Sequence, residues 1–162
     1  MFSLLNAHRA RSRARLSVAA LGIRPATANA DTRVVAAALR RMGLPARNAI
    51  VLVPVLTTAG LTTAHNRARL AKAAAVLAWA SVYSATPPDR IAALIASTAA
   101  SGRLTMTALH AWQEAGVPAV PALLKALEVD RIDLAYTVAA GRVSFLVFLE
   151  ALFEKASVQI GG

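Results

Sequence analysis

The 162-residue sequence contains no cysteine, and only 5% of its residues are aromatic. Without cysteine, the chain has no disulfide, no thiolate ligand for zinc and no thiol nucleophile. Its three histidines, His8, His65 and His110, are far apart in sequence and lack the close spacing of metal ligands. Glycine-rich phosphate-binding loops and the Gly-x-Ser-x-Gly sequence of serine hydrolases are also missing. We therefore expect no enzymatic activity, no metal, no cofactor and no small-molecule substrate.

Acidic residues are scarce in the N-terminal third of the chain. Residues 1–50 contain nine arginines and one acid, Asp31, whereas residues 51–162 contain nine Lys or Arg and seven acids. Most of the net charge of +10 therefore belongs to the N-terminal third. Residues 1–30 are interpreted as a flexible basic arm. A cleaved mitochondrial transit peptide, which would direct the protein to the matrix, and an arm that contacts nucleic acid or anionic membrane are alternatives.

Long hydrophobic runs are also few. Residues 48–66 are uncharged, but Pro54 and Gly60 interrupt them, and the uncharged residues 73–88 end in two prolines. A membrane-spanning helix needs about 20 predominantly apolar residues. Neither run predicts such a helix, although a membrane-surface protein that uses its basic arm and an apolar helix remains an alternative.

The chain is rich in alanine, leucine and valine, arranged in short runs that glycine, proline and hydroxyl residues separate. This pattern predicts an all-α fold, in which about seven or eight short helices form a compact orthogonal array over residues 31–162. Asp31 is the expected N-cap of a helix that ends at Gly43. A helix is also predicted over about residues 67–83.

Two further segments are more specific in what they predict. Pro54 indicates a kinked helix or a helix that holds it in the first turn, with a strand as the alternative because β-branched residues surround it. Residues 145–157 predict a final helix, after which the chain frays. That helix is apolar on nearly every side, so it is either buried or covered by a partner.

A short phrase occurs twice: Gly-Arg-Leu-Thr-Met at 102–106 and Gly-Arg-Val-Ser-Phe at 141–145. The glycine provides a left-handed exit from one helix, and the hydroxyl residue caps the next helix. We therefore predict a positive φ at both glycines and a structural role for the phrase. With the Gly-Val-Pro turn between the two copies, the predicted connector residues are Gly102, Thr105, Gly116, Pro118, Gly141 and Ser144.

Three aromatic residues are candidate contacts with a partner protein. An exposed tryptophan at position 112 would be a good interface anchor, and the apolar last helix carries two phenylalanines. The acids between residues 114 and 133 lie near predicted helix ends, where capping and helix-dipole interactions explain them. The candidate partner contacts are Trp112, Phe145 and Phe148.

In order, the connectors over residues 33–155 resemble the conserved N-terminal helical domain of phage tail tape measure proteins. The family pattern has a helix that ends near glycine, a hydroxyl or acidic cap, a Gly-[Ile/Val]-Pro-Ala turn, an exit similar to Leu-Gly-Val, and a second Gly-x-[Ile/Val/Leu]-[Ser/Thr]. The corresponding residues here are Gly102, Thr105, Leu109, Glu114 to Ala119, Leu123, Leu124, Leu127, Val129 and Gly141 to Ser144.

The resemblance implies a non-enzymatic module of tail assembly that contacts tail-tube proteins or tail-assembly chaperones and leaves self-association open. It also implies a location in the virion tail or the bacterial host cytoplasm. The sequence departs from the family at Ser144, which Phe-Leu-Val follows instead of acidic residues. A fully helical chain of this length would span about 240 Å, but glycine and proline divide it into short segments. We therefore expect the compact domain alone, without the long helical ruler.

Overall fold

The computed structural model describes residues 25–161, which form eight α-helices, one short 3-10 helix and no strand. This confirms the predicted all-α class and the predicted number of helices. Residues 1–24 of the predicted basic arm lie outside the described residues, whereas residues 25–30 belong to the first helix. The elements are α1 (Pro25–Arg41), the 3-10 helix (Ala46–Asn48), α2 (Ala49–Thr58), α3 (Thr63–Ser84), α4 (Pro88–Ser101), α5 (Met106–Glu114), α6 (Ala119–Leu127), α7 (Arg131–Ala139) and α8 (Phe145–Gly161).

Helices α3 and α8 form the centre of the fold. Helix α3 packs against α1, α4 and α8, and α8 also packs against α6. The two central helices run in the same direction, because Lys72 pairs with Glu150 and, farther along both helices, the Trp79 Nε1 donates to the Gln159 Oε1 at 2.6 Å. Alanine is abundant in the buried part of α3, and its small side chain permits close approach of several neighbouring helices.

Helix α1 begins before Asp31, so the prediction that Asp31 is its N-cap is wrong. Asp31 instead lies within α1 and is 1% exposed, and its carboxylate bonds to the start of α3. Its Oδ1 accepts hydrogen bonds from the Thr63 backbone N–H at 2.7 Å and from the Thr63 Oγ1 at 2.6 Å. Asp31 thus caps a helix that begins 32 residues later in the chain. A local sequence pattern cannot distinguish this long-range cap from a short-range one.

The strand alternative for the segment around Pro54 is also wrong. Helix α2 holds Pro54 in its interior, and its buried positions are Ala49, Leu52, Val53 and Leu56. Their spacing of three and four residues is that of one helix face. Burial of this face against α1 and α4 therefore outweighs the β-branched residues and the missing N–H of the proline.

The predicted start of the next helix near residue 67 corresponds to a break within α3. Asn66 has a non-helical backbone, with φ −160° and ψ 101°. Its Oδ1 accepts a hydrogen bond from the Arg69 N–H at 3.0 Å, as an N-cap does. The last helix is longer than predicted, since α8 continues to Gly161.

Candidate interaction surface

The two copies of the repeated phrase lie side by side. The Leu104 N–H donates to the Val143 carbonyl at 2.8 Å, and the Phe145 N–H donates to the Gly102 carbonyl at 3.1 Å. These bonds form an isolated antiparallel bridge between two helix connectors. The branched side chains of both connectors, Leu104 and Val143, are buried. We call residues 102–105 and 141–144 together the paired connectors.

Each connector also has the helix-ending and helix-starting geometry that its sequence predicts. Gly102 and Gly141 both have φ 70°, which confirms the predicted positive φ. The Thr105 Oγ1 accepts from the Ala108 N–H at 3.0 Å, and the Ser144 Oγ accepts from the Val147 N–H at 3.2 Å. Both hydroxyl residues therefore satisfy an otherwise unpaired N–H in the first turn of a helix.

Arg103 joins the two connectors on their outer side. A Cβ atom added at Gly141 would lie 2.9 Å from the Arg103 Nη1 and 3.2 Å from its Cδ, so the arginine side chain lies over this glycine. At Gly102 an added Cβ would meet open space. Position in the sequence alone predicts that Arg103 assists the helix that precedes it. The fold instead places its guanidinium beside the last turn of α7.

The Gly-Val-Pro turn packs against the end of α3. Gly116 has φ 87°, and a Cβ there would lie 3.4 Å from the Ser84 Cβ. Pro118 precedes α6, whose first residue is Ala119. The buried Thr86 Oγ1 donates to the Ala115 carbonyl at 2.8 Å. This hydrogen bond fixes the turn between the connectors to the core.

The three aromatic candidates for partner contacts lie in the core. Trp112 and Phe148 are each 1% exposed, and Phe145 is 6% exposed. The rings of Trp112 and Phe148 meet edge to face with 5.3 Å between their centroids, and the Trp112 Nε1 donates to the Thr98 Oγ1 at 3.1 Å. This placement corrects the expectation of surface anchors, because these side chains hold α4, α5 and α8 together.

The large apolar side chains that do face outward lie elsewhere, most clearly on α7. Ile132 is 68% exposed and Tyr136 is 74% exposed. They are four residues apart and share one side of the helix, whereas Leu134 and Val138 on the other side are buried. We call Ile132 and Tyr136 the α7 face. Sequence reasoning missed it, although an isoleucine and a tyrosine at this spacing, opposite a second apolar pair, were a visible signal.

A groove of about 440 Å³ lies between α6 and α8. Its lining contains lysine, glutamate and apolar side chains. The ammonium of Lys72 lies 5.5 Å from the ring centroid of Phe153, which is one of the lining residues. The lining contains no histidine. The lining residues are Ala122, Lys125, Glu150, Ala151, Phe153, Glu154, Lys155, Ser157, Val158 and Gln159.

Residues 25–161 contain no group of three or more His, Asp or Glu that is placed to hold a metal ion. No single helix in this range has the length and hydropathy of a membrane span. Two segments, Ala46–Thr58 and Thr63–Ser84, meet that criterion only when taken together, and they are bent by 117°.

Comparison of the chain with protein-family models, with curated proteins and with solved structures gives no match.

Proposed function

We propose that this chain is a non-enzymatic phage tail assembly module, similar to the N-terminal domain of tape measure proteins, that acts through protein–protein contacts. Its place of action would be the virion tail and, during assembly, the cytoplasm of the bacterial host. The proposal rests on the resemblance over residues 33–155 and on one observation about the backbone.

That observation is the conformation of Glu128. This residue follows α6 and has φ 53°, in the left-handed region that glycine adopts without strain. In the family pattern the exit from this helix is Leu-Gly-Val, and here the same three positions hold Leu127, Glu128 and Val129. The structure therefore has a glycine-type backbone at the one position of the exit where this sequence departs from the pattern. Such agreement is expected if the segment keeps the fold of the family and has lost the glycine.

The paired connectors give the order of the motifs a physical reason. The backbone hydrogen bonds between the two Gly-Arg phrases join the two ends of the segment that holds the three intervening helices. A set of unrelated helix connectors would have no need to occur in a fixed order. This supports the use of the ordered set, rather than any single motif, as the basis of the resemblance.

The α7 face is the surface that we assign to the tail partner. Its two large side chains, Ile132 and Tyr136, project from a helix whose other side is buried against the domain. Exposed aromatic and aliphatic side chains at the centre of an interface contribute a large part of its binding free energy. A tail-tube protein or a tail-assembly chaperone is the partner that the resemblance indicates.

Co-purification tests this proposal. The full chain is co-expressed with the tail-tube protein and, separately, with the tail-assembly chaperone encoded near it, and complexes are isolated by an affinity tag on the partner. We expect a complex with at least one of them, and a loss of binding of about tenfold or more in the double variant Ile132→Ser/Tyr136→Ser.

The matched control replaces two exposed apolar residues elsewhere, Val51 and Val158, which are 60% and 64% exposed. The variant Val51→Ser/Val158→Ser also removes two exposed apolar side chains, which are smaller than those of the α7 face, and should bind as the wild type does. Absence of a complex with both tail proteins would contradict the proposed function. A complex that both double variants weaken equally would contradict the assignment of the α7 face.

A further inference from the structure

The outer side of α1 is a stripe of arginines. Arg33, Arg40 and Arg41 are all exposed, and they lie on the side of the helix opposite the buried Val35 and Leu39. Arg33 and Arg40 are seven residues apart, which places them about two helix turns, or roughly 10 Å, from each other along one side. We call Arg33, Arg40 and Arg41 the arginine stripe.

No carboxylate neutralises this stripe within the part of the chain that the structure describes. Between residues 32 and 88 there are seven Lys or Arg and no Asp or Glu. Asp31, the only acid before Asp89, is buried, and its Oδ1 bonds to Thr63. Among the described residues the ion pair that forms joins Lys72 to Glu150, so no carboxylate is within ion-pair distance of the stripe, and its exposed arginines create a region of positive potential.

Neighbouring parts of the chain extend the same charge. Arg47, on the 3-10 helix that packs against α1, is exposed as well. In sequence, residues 1–24 lead directly into α1 and contribute five more arginines and no acid. A polyanion that contacts the arginine stripe thus meets a further arginine, Arg47, beyond the C-terminal end of α1.

The absence of aromatic residues narrows the class of polyanion. No Phe, Tyr or Trp occurs between Phe2 and Trp79. Proteins that bind single-stranded nucleic acid stack bases on aromatic side chains, and helices that lie in a membrane interface bury aromatic or large aliphatic side chains. On α1 the exposed residue between Arg33 and Arg40 is Ala37, whose side chain is small. Contact with phosphates along the outside of a duplex needs neither stacking nor insertion.

We propose that the arginine stripe binds the phosphate backbone of double-stranded DNA without reading its sequence. The guanidinium group suits this role, because its planar donors can form paired hydrogen bonds with phosphate oxygens. This binding surface is separate from the α7 face. DNA binding by the arginine stripe can therefore be tested independently of the proposed contact with tail proteins.

Fluorescence anisotropy of a labelled 24-base-pair duplex, measured with the full chain over a series of NaCl concentrations, tests the proposal. For each phosphate that the protein neutralises, the slope of log K against log [NaCl] becomes more negative by about 0.9. We expect the triple variant Arg33→Gln/Arg40→Gln/Arg41→Gln to make the slope shallower by about 2–3 and to weaken binding at least tenfold at low salt. The triple lysine variant at the same positions should keep most of the slope, because it keeps the charge.

The matched control is Arg90→Gln/Arg131→Gln/Arg142→Gln, which removes three exposed arginines outside this region and changes the net charge equally. It should leave the slope within about 0.5 of the wild type. An equal loss in both glutamine variants would show a response to net charge alone and overturn the assignment to α1. Lack of duplex binding, tighter binding to a single strand, or binding to phosphatidylserine vesicles but not to duplex would each overturn the choice of partner.

Discussion

Replacement of Gly141 by alanine tests whether the two connectors act as one joint. Gly102 and Gly141 have the same φ of 70°, so an alanine at either position meets the same backbone strain. A left-handed conformation costs a non-glycine residue about 1–2 kcal/mol, and the lower entropy of the unfolded chain offsets about 0.4–1 kcal/mol of this cost. Gly102→Ala, whose new Cβ meets open space, should therefore lower the free energy of unfolding by about 0–1.6 kcal/mol.

Gly141→Ala has an additional cost that comes from Arg103. The new methyl group would lie 2.9 Å from the Nη1 and 3.2 Å from the Cδ of that side chain, both too close for an ordinary contact. Arg103 is exposed and can swing away, so the additional cost is its lost packing over the connector. We expect Gly141→Ala to destabilise by about 0.3–1 kcal/mol more than Gly102→Ala, within the range of a surface contact.

The double-mutant cycle with Arg103→Ala isolates this contact. Without the arginine side chain, the two glycine substitutions should cost the same. Urea unfolding followed by tryptophan fluorescence is a suitable assay, because Trp79 and Trp112 are both buried and will report loss of the core. Differences in midpoint at constant m-value give the free-energy changes.

Two results would refute this reasoning. Equal costs of the two substitutions in the wild-type background would mean that Arg103 does not lie over Gly141. A difference that persists in Arg103→Ala would mean that another group limits the space at this glycine. If either alanine variant were clearly more stable than the wild type, the positive φ at that position would itself be in question.

Three further predictions use the same unfolding assay. Glu128→Gly should raise the free energy of unfolding by about 0.5–1 kcal/mol by removing left-handed strain, whereas Ala126→Gly, inside α6, should lower it by a similar amount; a loss of stability in both would contradict a strained Glu128. Asp31→Ala should cost about 2–4 kcal/mol because it removes the two hydrogen bonds that the buried Asp31 Oδ1 accepts from Thr63, and an effect below about 0.5 kcal/mol would refute its role as the cap of α3. Trp112→Ala should cost about 3–5 kcal/mol, as expected of a core residue; an unchanged midpoint would return it to the surface.

Between residues 102 and 145, the helix ends were the part of the fold that the sequence predicted best. Local chemistry determines where a helix ends, and the caps at Thr105, Asp130 and Ser144 depend on residues three positions away. The predicted exits at Gly102 and Gly141 likewise need only the backbone of the glycine itself. Interactions of this range can be read from a single sequence.

The contacts between distant segments were not predictable in the same way. Asp31 has the side chain of an N-cap, but only the packing of α1 on α3 determines which helix it caps. Phe148 and Ile132 are both large and apolar, yet the first is buried and the second is exposed because of the neighbours that the fold gives to each helix. The candidate partner surface depends on those neighbours, so sequence reasoning chose the buried aromatics and missed the α7 face.

The paired connectors separate two parts of the domain, the α3–α8 core and the segment that carries the α7 face. The chain leaves α4 at Gly102 and enters the central helix α8 at Phe145, where the two backbone segments bond to each other. Helices α5, α6 and α7 therefore form a segment whose two ends are bonded to each other, and within it α7 packs mainly on α5 and α6. Substitution of the exposed side chains of α7 therefore does not affect the packing between α3 and α8. A module that presents a helix to a partner needs a stable support for that helix. The paired connectors provide such a support because they join the two ends of this segment. The repeated Gly-Arg phrase is thus a structural feature of the fold, and if the α7 face binds a tail partner as proposed, the phrase contributes by fixing the position of Ile132 and Tyr136.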